Sequence, residues 1–172
     1  PDFTLGSGNI FIRINGSVEL GKEYDLAVEG KSALSPLKLF SQKIDVIRGD
    51  AQYGLSVTGA WENPRINGRM VITDGLLSLK DIRHRVTGIN GSLQMDGDRI
   101  IIQKLAGKMG GGDVSFSGVA YTRALKIGRF YVDAAMDNIG LDITKDFGAS
   151  LSGTLLWRGT LDAQTLSGEV RI

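Results

Sequence analysis

Few residues of this chain are of the types that do chemistry, and their spacing suits chemistry poorly. His84 is the only histidine and there is no cysteine. A zinc site or a histidine-based triad needs several such groups within reach, so His84, between Arg83 and Arg85, reads as part of a solvated turn. Gly107 to Gly112 invites comparison with a phosphate-binding loop. It lacks the G-x-x-x-x-G-K-[ST] order and no helical pattern follows, so it reads as a turn. Asp133 and Asp137 fall on the polar side of one alternating stretch and invite comparison with the two carboxylates of a glycosidase. A wet surface gives both the same surroundings, whereas acid and base roles rest on a difference in burial. Asp45 and Asp50 flank an expected turn. Arg65 and Arg69 share a face within reach of phosphate groups or simply of water, and the solvated face is the simpler reading. With no nucleophile–base pair, the expectation is a protein that is not an enzyme.

The composition narrows the remaining classes. A length of 172 residues suits one domain. The net charge of +1, from 20 basic and 19 acidic residues, gives no overall electrostatic case for nucleic acid or an anionic membrane. No apolar run is long enough for a membrane-crossing helix. The 24 glycines and three prolines, without a collagen period, fit many turns between many strands.

The spacing does specify strands. Ile10, Ile12, Ile14, Gly16, Val18 and Leu20 alternate with Phe11, Arg13, Asn15, Ser17 and Glu19, the period of a half-buried strand. Residues 1–8 read as a lead-in, and Gly21-Lys22-Glu23 as a turn before a return strand on Tyr24, Leu26 and Val28. Ser35-Pro36 matches an N-cap with proline at the first helical position, and Leu37, Phe40 and Ile44 keep helical spacing. One short helix is expected over 36–43. Tyr53, Leu55, Val57, Gly59 and Trp61 then share a face. After Asn63-Pro64, Ile66, Gly68, Met70 and Ile72 do the same, and Asp74-Gly75 signals a hairpin. Ile89, Gly91, Leu93 and Met95 form the next face, closed by the second Asp-Gly at 96–97. A strand over 99–105 and a Gly110-Gly111-Gly112 turn lead to Val114, Phe116, Gly118 and Ala120. Residues 121–129 read as a basic loop, and Phe130, Val132, Ala134 and Met136 as another face. Residues 138–147 form one helical turn or none. Leu151, Gly153, Leu155, Trp157 and Gly159 alternate again, and residues 166–172 are the last strand.

About a dozen strands with one apolar face each present more surface than one helix covers. The expected fold is all-β with at most one or two short helices, its sheet folded as a sandwich, a barrel or an elongated bent sheet. Glycine placement favours the bent sheet. Gly16, Gly59, Gly68, Gly91, Gly118, Gly159 and Gly168 sit in the apolar register, and alternation continues across each. Glycine inside a strand marks a bend or a close backbone approach; in strand after strand it makes a crease. The plainer alternative is that small residues relieve crowding in a core. There is also an internal repeat. Gly59-Ala60-Trp61 and Ile66 to Ile72 match Gly159-Thr160-Leu161 and Leu166 to Ile172, so residues 16–72 are echoed approximately by 118–172. The second copy stops in mid-strand. Residues 1–172 are therefore expected to be a single β-rich domain and a piece of something longer.

The order of these elements resembles the TamB/AsmA-like family of Gram-negative envelope proteins, in the C-terminal region of the inner-membrane component of the translocation and assembly module. The motif is a glycine, then P-x-I-x-G, an alternating strand and a second glycine. Here it is Gly59, Pro64-Arg65-Ile66-Asn67-Gly68, Met70, Ile72 and Gly75, followed by Leu77 and Leu79. The likeness is strongest over 54–118; the second copy has Gln164 where the first has Pro64. The resemblance implies a long sheet curled into an open hydrophobic trough, a β-taco, within a periplasmic protein anchored in the inner membrane. It implies a TamA-like outer-membrane assembly partner, and roles in moving phospholipid between the membranes and in assembling outer-membrane proteins.

On that reading phospholipid acyl chains lie along the apolar face, and no cofactor, metal or nucleic acid is needed. The lining comprises Ile10, Ile12 and Ile14; Leu55, Val57 and Trp61; Ile66, Met70 and Ile72; Leu93 and Met95. Val114 and Phe116, Val132 and Met136, and Leu151, Leu155 and Trp157 continue it. Without the resemblance the same face reads as an ordinary dry core. The alternative function is an assembly factor whose sheet edges accept client β-strands; the same edges would allow self-association of this chain.

Overall fold

The computed structural model describes residues 3–7, 10–40, 44–80, 83–124, 126–142, 148–160 and 162–172. The strands are β1 (Phe3–Ser7), β2 (Ile10–Glu19), β3 (Glu23–Ala33), β4 (Ile44–Ala60), β5 (Arg65–Leu79) and β6 (Val86–Gly97). They continue with β7 (Arg99–Met109), β8 (Gly112–Arg123), β9 (Lys126–Asp142), β10 (Gly148–Thr160) and β11 (Gln164–Arg171). Each pairs antiparallel with the next, so eleven strands form one meander in chain order. The sheet is open and curved, not closed into a barrel. Among the described residues, substantial packing runs only between consecutive strands, apart from the contact of a 3₁₀ helix with β4.

That helix covers Ser35–Phe40. It starts where Ser35-Pro36 predicts but winds as a 3₁₀ helix, and residues 41–43 of the expected span lie outside the described residues. Other connections are shorter than expected. Residues 3–7 are a strand paired to β2, not a lead-in. The expected basic loop over 121–129 is a tight hairpin, with Arg123 opposite Lys126 and Ala124 at φ 48°. Asp45 and Asp50 both lie inside β4, not at a turn. Residues 138–142 belong to β9; 143–147 lie outside the described residues.

The clearest difference is at Asp74-Gly75. The second Asp-Gly, at 96–97, does end a strand at a hairpin, with Asp96 opposite Arg99. The first lies within β5. Asp74 takes φ 50° and its amide donates to Asn90 Oδ1 at 3.1 Å, so the pair forms a bulge. Leu76, Leu77 and Leu79 then pair with Arg48, Ile47 and Ile44 of β4. The partner that keeps β5 extended is thus the first stretch of β4, some thirty residues earlier in the chain.

The chain exposes 11482 Å². A compact monomer of 18.5 kDa exposes about 8,200 Å² by surface–mass scaling. The surplus is that of an extended sheet. Its core is correspondingly thin: Leu34, Ala51, Met95, Val114, Phe130 and Ile139 are the buried apolar residues among those described.

Candidate functional site

Alternation sends successive side chains to opposite faces, and paired residues on neighbouring strands share a face. The pairing therefore assembles the apolar positions into rows. One row runs Ile14, Val28, Leu55, Gly68, Met95, Ile100, Ala120, Phe130, Gly159 from β2 to β10. The next runs Ile12, Gly30, Tyr53, Met70, Leu93, Ile102, Gly118, Val132, Trp157 and ends on Leu166 of β11. A third runs Ala51, Ile72, Gly91, Leu105, Phe116, Ala134, Leu155, Gly168. None of the three contains a charged residue. Shorter rows flank them: Leu26, Val57 and Ile66 on one side, and Val114, Met136, Gly153 and Val170 on the other.

The pairing thus brings nearly all the expected lining residues onto one face. Leu151 joins it opposite Ile139. Ile10 keeps the face of Ile12 at the start of β2, where it pairs with Ser7 and is exposed. One residue sits apart. Trp61 lies in the turn after β4, its ring stacked on Tyr24 at 5.0 Å. Trp157 is on the face: its ring meets Phe130 edge-on at 4.9 Å, its Nε1 donates to Gln164 Oε1 at 3.0 Å, and 44 % of it remains exposed. Sequence reasoning did not place Ile139, which is wholly buried, because 138–147 lacked an alternating pattern; the positive φ of Asn138 shifts the register there by one residue. Tyr53, Ile100, Ile102 and Leu105 fill gaps in the rows; Tyr53 stands in an alternating run, whereas 99–105 reads only as a strand because Ile100 to Ile102 are consecutive and the register shifts before Leu105.

All seven glycines of the apolar register have φ between 97° and 156°. At Gly91 a Cβ would lie 1.9 Å from the Lys104 carbonyl oxygen of β7, so the two backbones approach more closely than any side chain permits. These glycines do not share one row. Gly68 and Gly159, then Gly118, then Gly91 and Gly168 fall in three adjacent rows, making a staggered band.

The opposite face carries the charged residues, with Phe11, Val71, Ile101 and Val119 among them. Arg13 pairs with Glu29 at 2.5 Å, Lys31 with Asp50 at 3.5 Å and Lys108 with Asp113 at 2.6 Å. Arg69 donates to Ser92 Oγ at 3.3 Å, and Ser92 in turn donates to Gln103 at 2.9 Å. A shallow depression of about 470 Å³ lies between Asn15, Ala27, Ser56 and Asn67, where small side chains surround Gly54. Asp133 faces Ser117, whereas Asp137 faces Asp113; four residues of strand hold the two carboxylates on the order of 13 Å apart. Gly107 to Gly112 is strand, turn, strand. Among the described residues no three His, Asp or Glu side chains gather where they could hold a metal ion, and no helix is long and apolar enough to cross a membrane.

No protein-family model matches this chain, and no curated protein or solved structure shows significant similarity to it.

Proposed function

We propose that the apolar face is a wall for lipid acyl chains, and that the chain is a periplasmic segment of an envelope-biogenesis protein that guides phospholipid between two membranes. The observation that carries this reading is the set of three uncharged rows spanning the sheet, with no second layer of strands packed on them among the described residues. Such a face is stable in water only when something apolar covers part of it. Burial of a methylene contributes about 0.8 kcal/mol. Because each row repeats similar aliphatic groups, that gain stays nearly constant along the wall, and a chain slides without a deep trap. At about 4.8 Å per strand the eleven strands span roughly 48 Å. Sliding needs no catalytic group. The periplasmic setting and the outer-membrane partner come from the resemblance of the order of elements, strongest over 54–118.

A second reading, capture of a client β-strand, draws on β11. It has a neighbour on one side only, and its residues are all exposed, including Leu166 and Val170.

One experiment separates the two. The protein is incubated with a photoactivatable phospholipid, and crosslinking is compared for the wild type, Met70→Asp and Leu155→Asp, with folding checked by circular dichroism. The lipid reading expects both folded variants to lose most of the crosslink. Undiminished capture by both would sink it, and loss only on capping β11 with proline substitutions would favour the strand-capture reading.

A further inference from the structure

We propose that one rim of the sheet, led by the β8–β9 hairpin, docks on the surface of an anionic lipid bilayer. This goes beyond the lipid-wall reading and does not depend on it, because it concerns the strand ends and not the apolar rows.

The meander puts five connections on the same rim: after β2, β4, β6, β8 and β10. Three of them hold large apolar side chains out in water. Leu20 is 82 % exposed, Trp61 37 % and Ile127 41 %. Leu20 and Trp61 lie in turns, and Ile127 follows the turn at Ala124. Aromatic residues gather behind these tips. Tyr24 stacks on Trp61, Tyr121 stands opposite Arg129, and Tyr131 stands opposite Arg158. Amphipathic rings near exposed aliphatic tips are the composition that settles at a membrane–water boundary.

Charge selects the kind of membrane. Arg123, Lys126, Arg129 and Arg158 are exposed and have no ion-pair partner among the described residues. The pairing interleaves two of them with rings: Arg129 lies between Tyr121 and Thr160, and Tyr131 between Val119 and Arg158. A depression of about 330 Å³ opens between Arg129, Tyr131, Arg158 and Thr165, a setting for a phosphate group. The acids of the adjoining turns are Asp96, which pairs with Arg99, together with Asp98 and Asp162. Four basic groups against two unpaired acids leave this corner positive, although the whole chain carries only +1. The even overall balance hides this local segregation. Anionic headgroups attract the basic side chains while Ile127 enters the interface.

The test uses the 172-residue protein and sedimentation with two vesicle preparations, one of pure phosphatidylcholine and one with about a quarter phosphatidylglycerol. Binding is expected to the anionic vesicles, to be weak on the neutral ones, and to fall as salt rises. The double variant K126Q/R129Q should bind anionic vesicles roughly thirty-fold more weakly, and Ile127→Ser about ten-fold more weakly. All three changes are at exposed positions, and circular dichroism confirms folding. Lys108→Gln, an exposed basic residue at the opposite rim, should bind vesicles as the wild type does, so a general loss of positive charge and a loss at this rim give different patterns. Equal binding to both vesicle types would overturn the proposal. So would unchanged binding by K126Q/R129Q, or an equal loss in Lys108→Gln.

Discussion

Replacing Gly91 by alanine should damage this sheet far more than a glycine-to-alanine change in a strand ordinarily does. Gly91 lies in β6 at φ 156°, and a Cβ there would stand 1.9 Å from the Lys104 carbonyl oxygen and 2.9 Å from the Leu105 Cα. Both are backbone atoms of a strand held on its far side by β8, so neither gives way as a side-chain tip would. Relief needs a shift of more than about 1 Å between β6 and β7, or a new φ at residue 91. A strained backbone position costs about 1–3 kcal/mol, and spreading a packed pair of strands adds to it, so a loss of about 3 kcal/mol or more is expected. Gly54, in β4, is the control. Nothing lies within 4 Å of its added Cβ and its φ is not positive. Gly54→Ala should be neutral or stabilise by up to about 1 kcal/mol, through reduced freedom of the unfolded chain. Urea unfolding followed by circular dichroism reads both. The Gly91→Ala midpoint should fall by about 1–2 M, while that of Gly54→Ala stays or rises. Equal midpoints would refute close backbone approach as the reason for glycine at position 91.

Ile139→Ala removes a wholly buried side chain and should cost about 2–5 kcal/mol in the same unfolding assay. The two tryptophans report separately on lipid: brominated acyl chains should quench Trp157, on the apolar face, more than Trp61, which is stacked on Tyr24, and Trp157→Phe should remove most of that quenching. Gly68→Ala and Gly168→Ala create the same 2.1 Å clash, but β5 is held on both sides and β11 on one. Hydrogen exchange should show Gly168→Ala loosening β11 alone and Gly68→Ala lowering protection across the sheet.

The apolar face was legible because alternation is local. Ile10 to Leu20 and Ala149 to Gly159 declare their facing residues without reference to any partner. The strand ends were less so. Asp74-Gly75 and Asp96-Gly97 are the same dipeptide, yet one is a bulge and the other a hairpin. What separates them lies outside the local window: Ile44, Ile47 and Arg48 extend β4 far enough to hold Leu76, Leu77 and Leu79 in the sheet. Ser35-Pro36 marks the start of the 3₁₀ helix at Ser35–Phe40, but no alternating pattern marks the strand that begins at Ile44. Ile139 was missed for a related reason, since a register shift at Asn138 breaks the period that would reveal it.

The repeat gains a physical meaning from the pairing. Leu55 faces Gly68, and Leu155 faces Gly168; Val57 faces Ile66, and Trp157 faces Leu166. The two hairpins thus have the same register one hundred residues apart. In each, a Cβ on the glycine would meet the carbonyl oxygen of the residue before the leucine, Gly54 or Thr154, at 2.1 Å. Side chains around this contact vary freely: Met70 becomes Val170, Arg69 becomes Glu169 and Val57 becomes Trp157. What persists is one glycine, one close carbonyl and a bulky apolar partner opposite. The unit that recurs is therefore a backbone geometry. It lets successive strands bend while keeping an uncharged row on one face, and any lipid-guiding role would rest on that geometry more than on the identity of a given lining residue.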